Sequence, residues 1–221
     1  MRFKNRTEAG RLLAAKLLCH SSAPALLVLA LPRGGVPVAY EVASALRAPL
    51  DIFLVRKLGV PGHEEYAMGA LATGGVRILN PDAVQHLGIS EDVIEKVVAK
   101  EKAELERRER EYRGSRPVPE LRGRTVMIVD DGLATGSSMR AAVAALRQKQ
   151  PARIIVAVPV APPSAVEDLQ CQADEVVCVI MPDDFYAVGQ WYVDFEQTSD
   201  AEVRAYLRQA AQEPESPSSP N

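Results

Sequence analysis

The sequence predicts an α/β fold in which a mainly parallel, twisted sheet carries helices on both faces. Continuously apolar segments of strand length recur along the chain, as in residues 26–31 (LLVLAL) and 125–129 (TVMIV). Segments with helical spacing of apolar residues alternate with them, a pattern typical of parallel sheets that are buried on both sides. A chain of 221 residues is long enough for one substantial core. We therefore expect one domain over residues 1–211, with a helical insertion over about 81–113 and a small substructure, the hood, over about 181–198.

The first half of the chain is predicted to alternate helices and strands. Thr7 is a suitable N-cap for the first helix, because its hydroxyl can accept a hydrogen bond from a free backbone NH. Pro37 suits the first turn of the second helix. The segment after the second strand contains Gly and Pro residues that predict a loop. In order, the expected elements are helix 7–18, strand 26–31, helix 36–46, strand 50–55, loop 56–66 and two short strands that flank the Gly74-Gly75 turn.

The second half continues the alternation after a long charged helix that Ser90 is expected to cap. The tail QEPESPSSPN, residues 212–221, consists largely of Pro, Ser and polar residues, so it is predicted to be disordered. In order, the expected elements are helix 90–113, connector 114–123, strand 125–129, helix 137–148, strand 153–160, helix 164–170, strand 175–180 and a helix that begins near 199.

Composition argues against several classes of partner. The formal net charge is −3, whereas a general binder of nucleic acids or anionic membranes needs a basic face. The longest apolar run, residues 23–31, is too short to span a bilayer. The three cysteines form no CxxC pair and are expected to be reduced thiols of a cytoplasmic protein. We therefore expect neither nucleic acid nor membrane as a partner.

The segment VMIVDDGLATGSSM, residues 126–139, contains the strongest functional signal. A buried strand ends in Asp130 and Asp131, whose carboxylates can accept hydrogen bonds from the vicinal hydroxyls of a ribose. The following loop opens a helix, where free NH groups and the helix dipole favour a phosphate. A plain strand-turn-helix joint is the alternative, but the unbroken order of these parts favours a ligand site. The loop residues expected to approach or bind the ligand are Gly132, Ala134, Thr135, Gly136, Ser137 and Ser138.

This segment resembles the motif with which type I phosphoribosyltransferases bind 5-phosphoribosyl-1-diphosphate (PRPP). The resemblance implies an enzyme that uses PRPP and Mg²⁺, transfers the phosphoribosyl group to a nitrogenous acceptor and releases diphosphate. It implies that Asp130 and Asp131 hold the ribose hydroxyls and are the only acids near the metal ion. It further implies that residues 134–138 enclose the 5-phosphate. Together with two loops described next, the chain resembles, over about residues 1–210, a bacterial group whose acceptor is generally unassigned.

Two further loops contain cations after strands. Arg33, Gly34 and Gly35 open a helix and suit a diphosphate, although a simple glycine turn is an equal alternative. This loop resembles the diphosphate loop of the family, which implies a non-proline cis peptide bond near Arg33-Gly34. Arg56 and Lys57 begin a run that resembles the mobile catalytic loop of adenine phosphoribosyltransferases, although both residues are open to the alternative of solvated loop charges. The catalytic candidates are Arg33, Arg56, Lys57 and Asp131.

The acceptor is expected to bind at the hood. In the family this region lies near the chain end and carries an aromatic ring that stacks on a planar base. Relatives that use hypoxanthine or guanine place an Asp where this chain has Ala134, and a Lys in the hood, whereas no Lys follows Lys149 here. The resemblance therefore favours an acceptor of the adenine type. The candidate residues are Phe185, Tyr186, Trp191 and Asp194, and Tyr192 is a further ring that could stack on the base. Core or edge-strand packing is an equal alternative for each ring.

Two other functions remain open from the sequence. The first is a non-enzymatic sensor of PRPP or a nucleotide on the same fold, and the second is a hydrolase that uses the Asp pair. Arg33 and the Arg56-Lys57 pair favour catalysis over sensing, because a sensor of a 5-phosphate alone would need neither. A hydrolase would need a second cluster of metal ligands or a nucleophile, and the sequence shows neither. The long helix is expected to lie on the surface, to shield the site or to form a contact in the homodimer that we expect.

Overall fold

The computed structural model describes residues 1–212, except the side chains of Glu64 and Glu65. The strands are β1 (Leu27–Ala30), β2 (Leu50–Ile52), β3 (Val55–Val60), β4 (His63–Ala72), β5 (Val76–Leu79), β6 (Thr125–Val129), β7 (Arg153–Val160) and β8 (Glu175–Ile180). The helices are α1 (Arg6–Leu17), α2 (Gly35–Leu46), α3 (Pro81–His86), α4 (Glu91–Arg113), α5 (Ser137–Gln148), α6 (Pro163–Gln170) and α7 (Asp200–Gln212). The predicted α/β class is confirmed.

Five strands form a wholly parallel sheet in the order β2-β1-β6-β7-β8. Strands β1 and β6 are neighbours in the middle of this sheet, with Val28 opposite Met127 and Ala30 opposite Val129. Because the strands are parallel, the loops after β1 and β6 leave the sheet at the same edge. This edge is therefore where the two predicted ligand loops meet.

Successive residues of the central strands pack against different layers of helices. Val28 and Ala30 belong to a buried cluster with residues of α1 and α2, whereas Leu27 and Leu29 pack with residues of α5 and α6. All four side chains are buried, which explains why the strand reads as continuously apolar rather than alternating. Helices thus cover both faces of the sheet, as predicted.

The prediction of a loop over residues 56–66 is wrong, because the structure forms two strands there. Strands β3, β4 and β5 make a separate antiparallel sheet, with its first turn after Val60. Leu58 and Met68 are buried in a cluster that also contains Ile94 of α4. The hairpin therefore has an apolar face that α4 covers. The turn-rich sequence of the hairpin does not predict this burial, because it comes from another element.

The amino-terminal segment pairs with the hood region. The NH of Phe3 donates to the carbonyl of Trp191 at 2.8 Å, and the NH of Val193 donates to the carbonyl of Phe3 at 2.8 Å. The N-cap of α1 is Asn5 rather than Thr7, because the Asn5 side chain accepts a hydrogen bond from the NH of Glu8. Residue 212 of the predicted tail ends α7, and the rest of the tail lies outside the described residues. Within residues 1–212, no helix is long and apolar enough to cross a membrane.

Candidate functional site

The acid pair and the loop after β1 lie against each other at the edge of the parallel sheet. The NH of Leu31 donates to the carbonyl of Val129 at 2.9 Å, which joins the two strand ends just before the loops begin. A Cβ atom on Gly34 would overlap the Oδ2 atom of Asp131, so only glycine permits this approach. The cis peptide bond lies between Pro32 and Arg33, one bond earlier than predicted.

Arg6, at the start of α1, binds the second acid of the pair. Its Nε donates to Oδ2 of Asp131 at 2.8 Å, and the two side chains are 11% and 14% exposed. Its guanidinium carbon lies 4.0 Å from the ring centroid of Phe195, and its Nη1 donates to the carbonyl of Glu196 at 2.6 Å. Charge-assisted hydrogen bonds and cation–π contacts are both stronger away from water. No local sequence pattern indicates this role of Arg6, because it pairs with a residue 125 positions away.

The two acids are electrostatically strained. Burial raises the pKa of Asp130 well above its usual value, and the adjacent Asp131 carboxylate raises it further. Burial also raises the pKa of Asp131, while the Arg6 guanidinium opposes that rise. Buried carboxylates with raised pKa values are common at functional sites. The pair therefore gains from any ligand that donates hydrogen bonds to it.

The loop after the acids forms a small cradle at the start of α5. Residues 130 and 132–139 line a cavity of about 130 Å³. Gly136 adopts φ +70° as the residue before the helix, a conformation that non-glycine residues rarely adopt. Thr135, Ser137 and Ser138 are exposed, and the Oγ1 of Thr135 lies 2.9 Å from the Oγ of Ser137. Helix NH groups and hydroxyls thus converge on a space suited to an oxyanion.

Arg140 is a further site residue that was not predicted from the sequence. Its Nη1 donates to the carbonyl of Thr135 at 2.7 Å, and its Nη2 lies 3.3 Å from the Oγ of Ser137. Asp168 is its carboxylate neighbour at 3.4 Å. The available signal was its spacing, because a residue four positions after Gly136 lies one helical turn further on, over the loop. Arg140 therefore stabilises the loop of the cradle and adds positive charge beside it.

Arg33 lies near the start of α7. Its Nη1 is 3.8 Å from Oδ1 of Asp200, and the hydroxyl of Tyr112 donates to the same oxygen atom. Burial, followed by the hydrogen bond to Asp200, raises the pKa of Tyr112 to about 12. The end of α4 and the start of α7 therefore meet beside the predicted diphosphate loop.

Arg56 and Lys57 lie on strand β3 rather than in a loop. The Nε and Nη2 atoms of Arg56 are 2.8 and 2.7 Å from Oε2 of Glu101 on α4. Lys57 is exposed and lines two cavities, one beside α4 and one that also contacts Ser137 and Ser138. The structure thus places Lys57, but not the guanidinium of Arg56, on the side of the hairpin that faces the cradle.

The aromatic candidates of the hood occupy different environments. Tyr186 is 85% exposed, whereas Phe185 and Trp191 pack against a buried cluster that contains Phe3. The indole nitrogen of Trp191 is buried and has no hydrogen-bond partner among the described residues. The Oδ1 of exposed Asp194 accepts a hydrogen bond from the NH of residue 196 at 3.1 Å. These positions leave Tyr186 as the most accessible ring of the hood.

Tyr192, one of the rings considered for stacking on a base, is buried and instead connects the hood to the acid pair. Its hydroxyl donates to the carbonyl of Asp131 at 2.6 Å, and its side chain is buried against Phe3. Burial raises the pKa of Tyr192, and the charge of Asp131 raises it further. Tyr192 thus stays neutral and can hold the backbone of the acid pair.

The acids suit a metal ion that is bound mostly by a substrate. No group of three or more His, Cys, Asp or Glu residues within the described part of the chain could hold a metal ion. Asp130 and Asp131 offer hard oxygen atoms, which Mg²⁺ prefers, and Mg²⁺ commonly takes only one or two carboxylates beside phosphates and waters. Because Arg6 occupies Oδ2 of Asp131, Asp130 and the other oxygen of Asp131 fit this limited role.

Known proteins match nearly the whole length of this chain. A family model, the phosphoribosyl transferase domain, matches residues 4–196. Two proteins from strains of Mycobacterium tuberculosis, each provisionally named a phosphoribosyl transferase, are 47% identical over 208 residues. These alignments cover 94% of this chain and 47% of each relative, so the chain spans about half their length. The crystal structure of TT1426 from Thermus thermophilus is 46% identical, with a TM-score of 0.84 over 95% of this chain and 99% of that chain.

Proposed function

This chain belongs to the phosphoribosyltransferase family, and on that premise we propose that it transfers the phosphoribosyl group of PRPP to a nitrogenous base. One observation supports this most directly. The acid pair, the loop after β1 and the cradle at the start of α5 lie together at one edge of the parallel sheet. A ribose that carries a phosphate at one end and a diphosphate at the other has matching chemical groups.

The roles of the residues follow from their chemistry. Asp130 and Asp131 accept hydrogen bonds from the two ribose hydroxyls, which relieves the strain between their charges. The backbone of Gly132, Ala134 and Gly136 approaches the sugar phosphate, and Thr135, Ser137 and Ser138 donate to the 5-phosphate. Arg33, with the backbone of Gly34 and Gly35, holds the diphosphate. When bound, Mg²⁺ supplies positive charge to the diphosphate, with Asp130 and Asp131 as its protein ligands.

The reaction is a displacement at C1 of the ribose. The bond between C1 and the diphosphate oxygen breaks, its electron pair leaves with the diphosphate, and a lone pair of the acceptor nitrogen forms the new bond to C1. The acceptor then loses a proton. The transition state has oxocarbenium character, as in glycoside chemistry, so the protein contributes mainly positioning and charge stabilisation. Lys57 on the hairpin is proposed to stabilise the departing diphosphate, and Arg56 would join it only if its ion pair with Glu101 opens.

We propose a purine of the adenine type as the acceptor, in preference to a 6-oxopurine. Ala134 lines the cradle where enzymes for 6-oxopurines generally have an Asp, and no Lys follows Lys149 in the chain. Tyr186 is exposed and available to stack on the base, with Phe185, Trp191 and Asp194 as further candidates at the hood. Residues 1–211 are proposed to act as one domain in this reaction.

The activity is tested by measuring diphosphate release with PRPP, Mg²⁺ and a panel of adenine, hypoxanthine, guanine and simple amines. The control is Asp130→Asn, whose amide oxygen can still accept the hydrogen bond that the NH of Asp131 donates at 2.8 Å. Because the substitution removes one of two buried like charges, we expect the free energy of unfolding to rise by about 0.5–2 kcal/mol. We also expect it to reduce turnover by a factor of at least about 100.

Loss of turnover in a more stable variant cannot be attributed to unfolding. Release with adenine alone would support the proposed acceptor class. Tight binding of PRPP without turnover for any acceptor would instead favour the non-enzymatic sensor, and equal turnover by Asp130→Asn would contradict the assigned site.

A further inference from the structure

A second cavity lies between strand β3 of the hairpin and the helix α4. Its volume is about 700 Å³, and its walls are residues of β3, the turn that follows β3, and the first half of α4. This volume is within the usual range of small-molecule sites, which is roughly 300–1,000 Å³. The cavity shares no lining residue with the cradle at Asp130. It is therefore a separate space that the helical insertion creates.

The cavity is strongly positive among its described lining side chains. Arg56, Lys57, Lys96 and Lys100 line it, and Glu101 is the carboxylate among these residues. Glu101 is already paired with Arg56 at 2.7 Å. The lysines of α4 are four positions apart, so they project from the same face of the helix. The whole chain has a net charge of −3, so this positive site is a local feature and not a consequence of composition.

The lysines of α4 are available to an anion. Within residues 1–212, apart from the two undescribed glutamate side chains, neither Lys96 nor Lys100 forms an ion pair. Both residues are exposed, although a charged helix commonly pairs such lysines with carboxylates at neighbouring turns. Further along α4, Arg107 and Arg108 show that pattern with Glu104. The first half of the helix thus leaves two positive charges directed at a cavity.

The cavity also has an apolar wall. Val93 and Val97 of α4 line it one turn apart and are partly exposed, and Pro61 lines it from the turn after β3. A small inorganic anion would leave these side chains in contact with water. A ligand with a flat, weakly hydrated body and a phosphate group would cover them and pair with the lysines.

We propose that this cavity binds a nucleoside phosphate, with its phosphates on Lys96 and Lys100 and its base against Val93 and Val97. Such a ligand connects the hairpin that carries Arg56 and Lys57 to α4. The proposal concerns binding, and it does not require that the chain be an active transferase.

The test is a calorimetric titration of the whole chain with ADP in the presence of saturating ribose 5-phosphate, which blocks the cradle. The variant is Lys96→Ala/Lys100→Ala. The matched control is Lys102→Ala/Arg122→Ala, which removes the same charge from exposed positions outside the cavity lining. We expect the affinity for ADP to fall roughly 10- to 100-fold in the first variant, because two charge-assisted contacts are lost. The control should bind ADP like the wild type.

Two outcomes overturn the proposal: no ADP binding by the wild type, or the same affinity in Lys96→Ala/Lys100→Ala as in the wild type. A separate titration with ribose 5-phosphate alone should give equal affinities for all three proteins. If ribose 5-phosphate does not bind the wild type, the proposed function fails, whereas the comparison of ADP affinities among the three proteins still decides the cavity. The two failures are therefore distinguishable.

Discussion

At the scale of single residues, the site is a balance between two buried acids and one arginine. Asp130 and Asp131 are adjacent and buried, which raises the pKa of each. Arg6 compensates one charge through its hydrogen bond to Asp131 and also contacts Phe195. The arginine thus keeps Asp131 able to accept hydrogen bonds, and it connects α1, the acid pair and the hood.

Replacement of Arg6 should destabilise the protein more than replacement of a surface arginine on the same helix. In Arg6→Gln the carboxylate of Asp131 loses its cation in a partly buried site, so we expect the free energy of unfolding to fall by about 3 kcal/mol. Affinity for ribose 5-phosphate should fall as well, because the pKa of Asp131 rises when its cation is removed. Urea denaturation and calorimetry measure the two effects.

The matched control for this experiment is Arg11→Gln. The Arg11 side chain is 71% exposed and pairs with Glu41, and exposed ion pairs contribute about 0–1 kcal/mol. An equal loss of stability in both variants would show that the contact between Arg6 and Asp131 stabilises the protein no more than an exposed ion pair does.

At the scale of elements, the start of α5 combines a backbone requirement with its proposed binding role. Gly136 precedes the helix at φ +70°, and this conformation allows the loop to turn so that the NH groups of the first helical turn face the cradle. Arg140 supports the same turn through its hydrogen bond to the carbonyl of Thr135. The local geometry of this joint therefore sets the position of the NH donors that the proposed 5-phosphate would contact.

Alanine at Gly136 should affect both stability and binding. A non-glycine residue at positive φ costs about 1–2 kcal/mol, and any shift of the loop displaces the NH donors. We expect Gly136→Ala to lower the free energy of unfolding by that amount and to weaken ribose 5-phosphate at least about tenfold. Gly123→Ala provides the control, because Gly123 has φ +71° and no atom within 4 Å of an added Cβ. If both variants lose binding equally, the effect at Gly136 is not specific to the cradle.

At the scale of the whole molecule, the amino-terminal segment and the hood close the site together. Phe3 is fully buried and forms backbone hydrogen bonds with Trp191 and Val193. Tyr192, between them, donates to the carbonyl of Asp131. The hood is therefore held against the acid pair by the amino-terminal segment, so a change at one end of the chain should reach the centre of the site.

Truncation of Phe3 tests this connection. Phe3→Ala removes a fully buried ring and should lower the free energy of unfolding by about 3–5 kcal/mol. Amide hydrogen exchange should become faster at residues 191–195, because their partners are displaced. Leu18→Ala is the control, since Leu18 is 52% exposed and its replacement should change stability by less than about 0.5 kcal/mol. Unchanged exchange at residues 191–195 in Phe3→Ala would contradict the proposed connection.

The local sequence determined the parallel sheet, its helices and the loop at the acid pair. Strands β6, β7 and β8 and helix α5 begin and end at the predicted residues. Continuous apolar runs and turn residues are local signals, and strand direction then places the loops at one edge. The tertiary structure alone decided the hairpin, because its burial comes from α4. It also decided the contacts of Arg6 and Tyr192 with Asp131, which join residues 125 and 61 positions apart. Contacts between such distant residues depend on how the helices and the hood pack, and no local pattern encodes that packing.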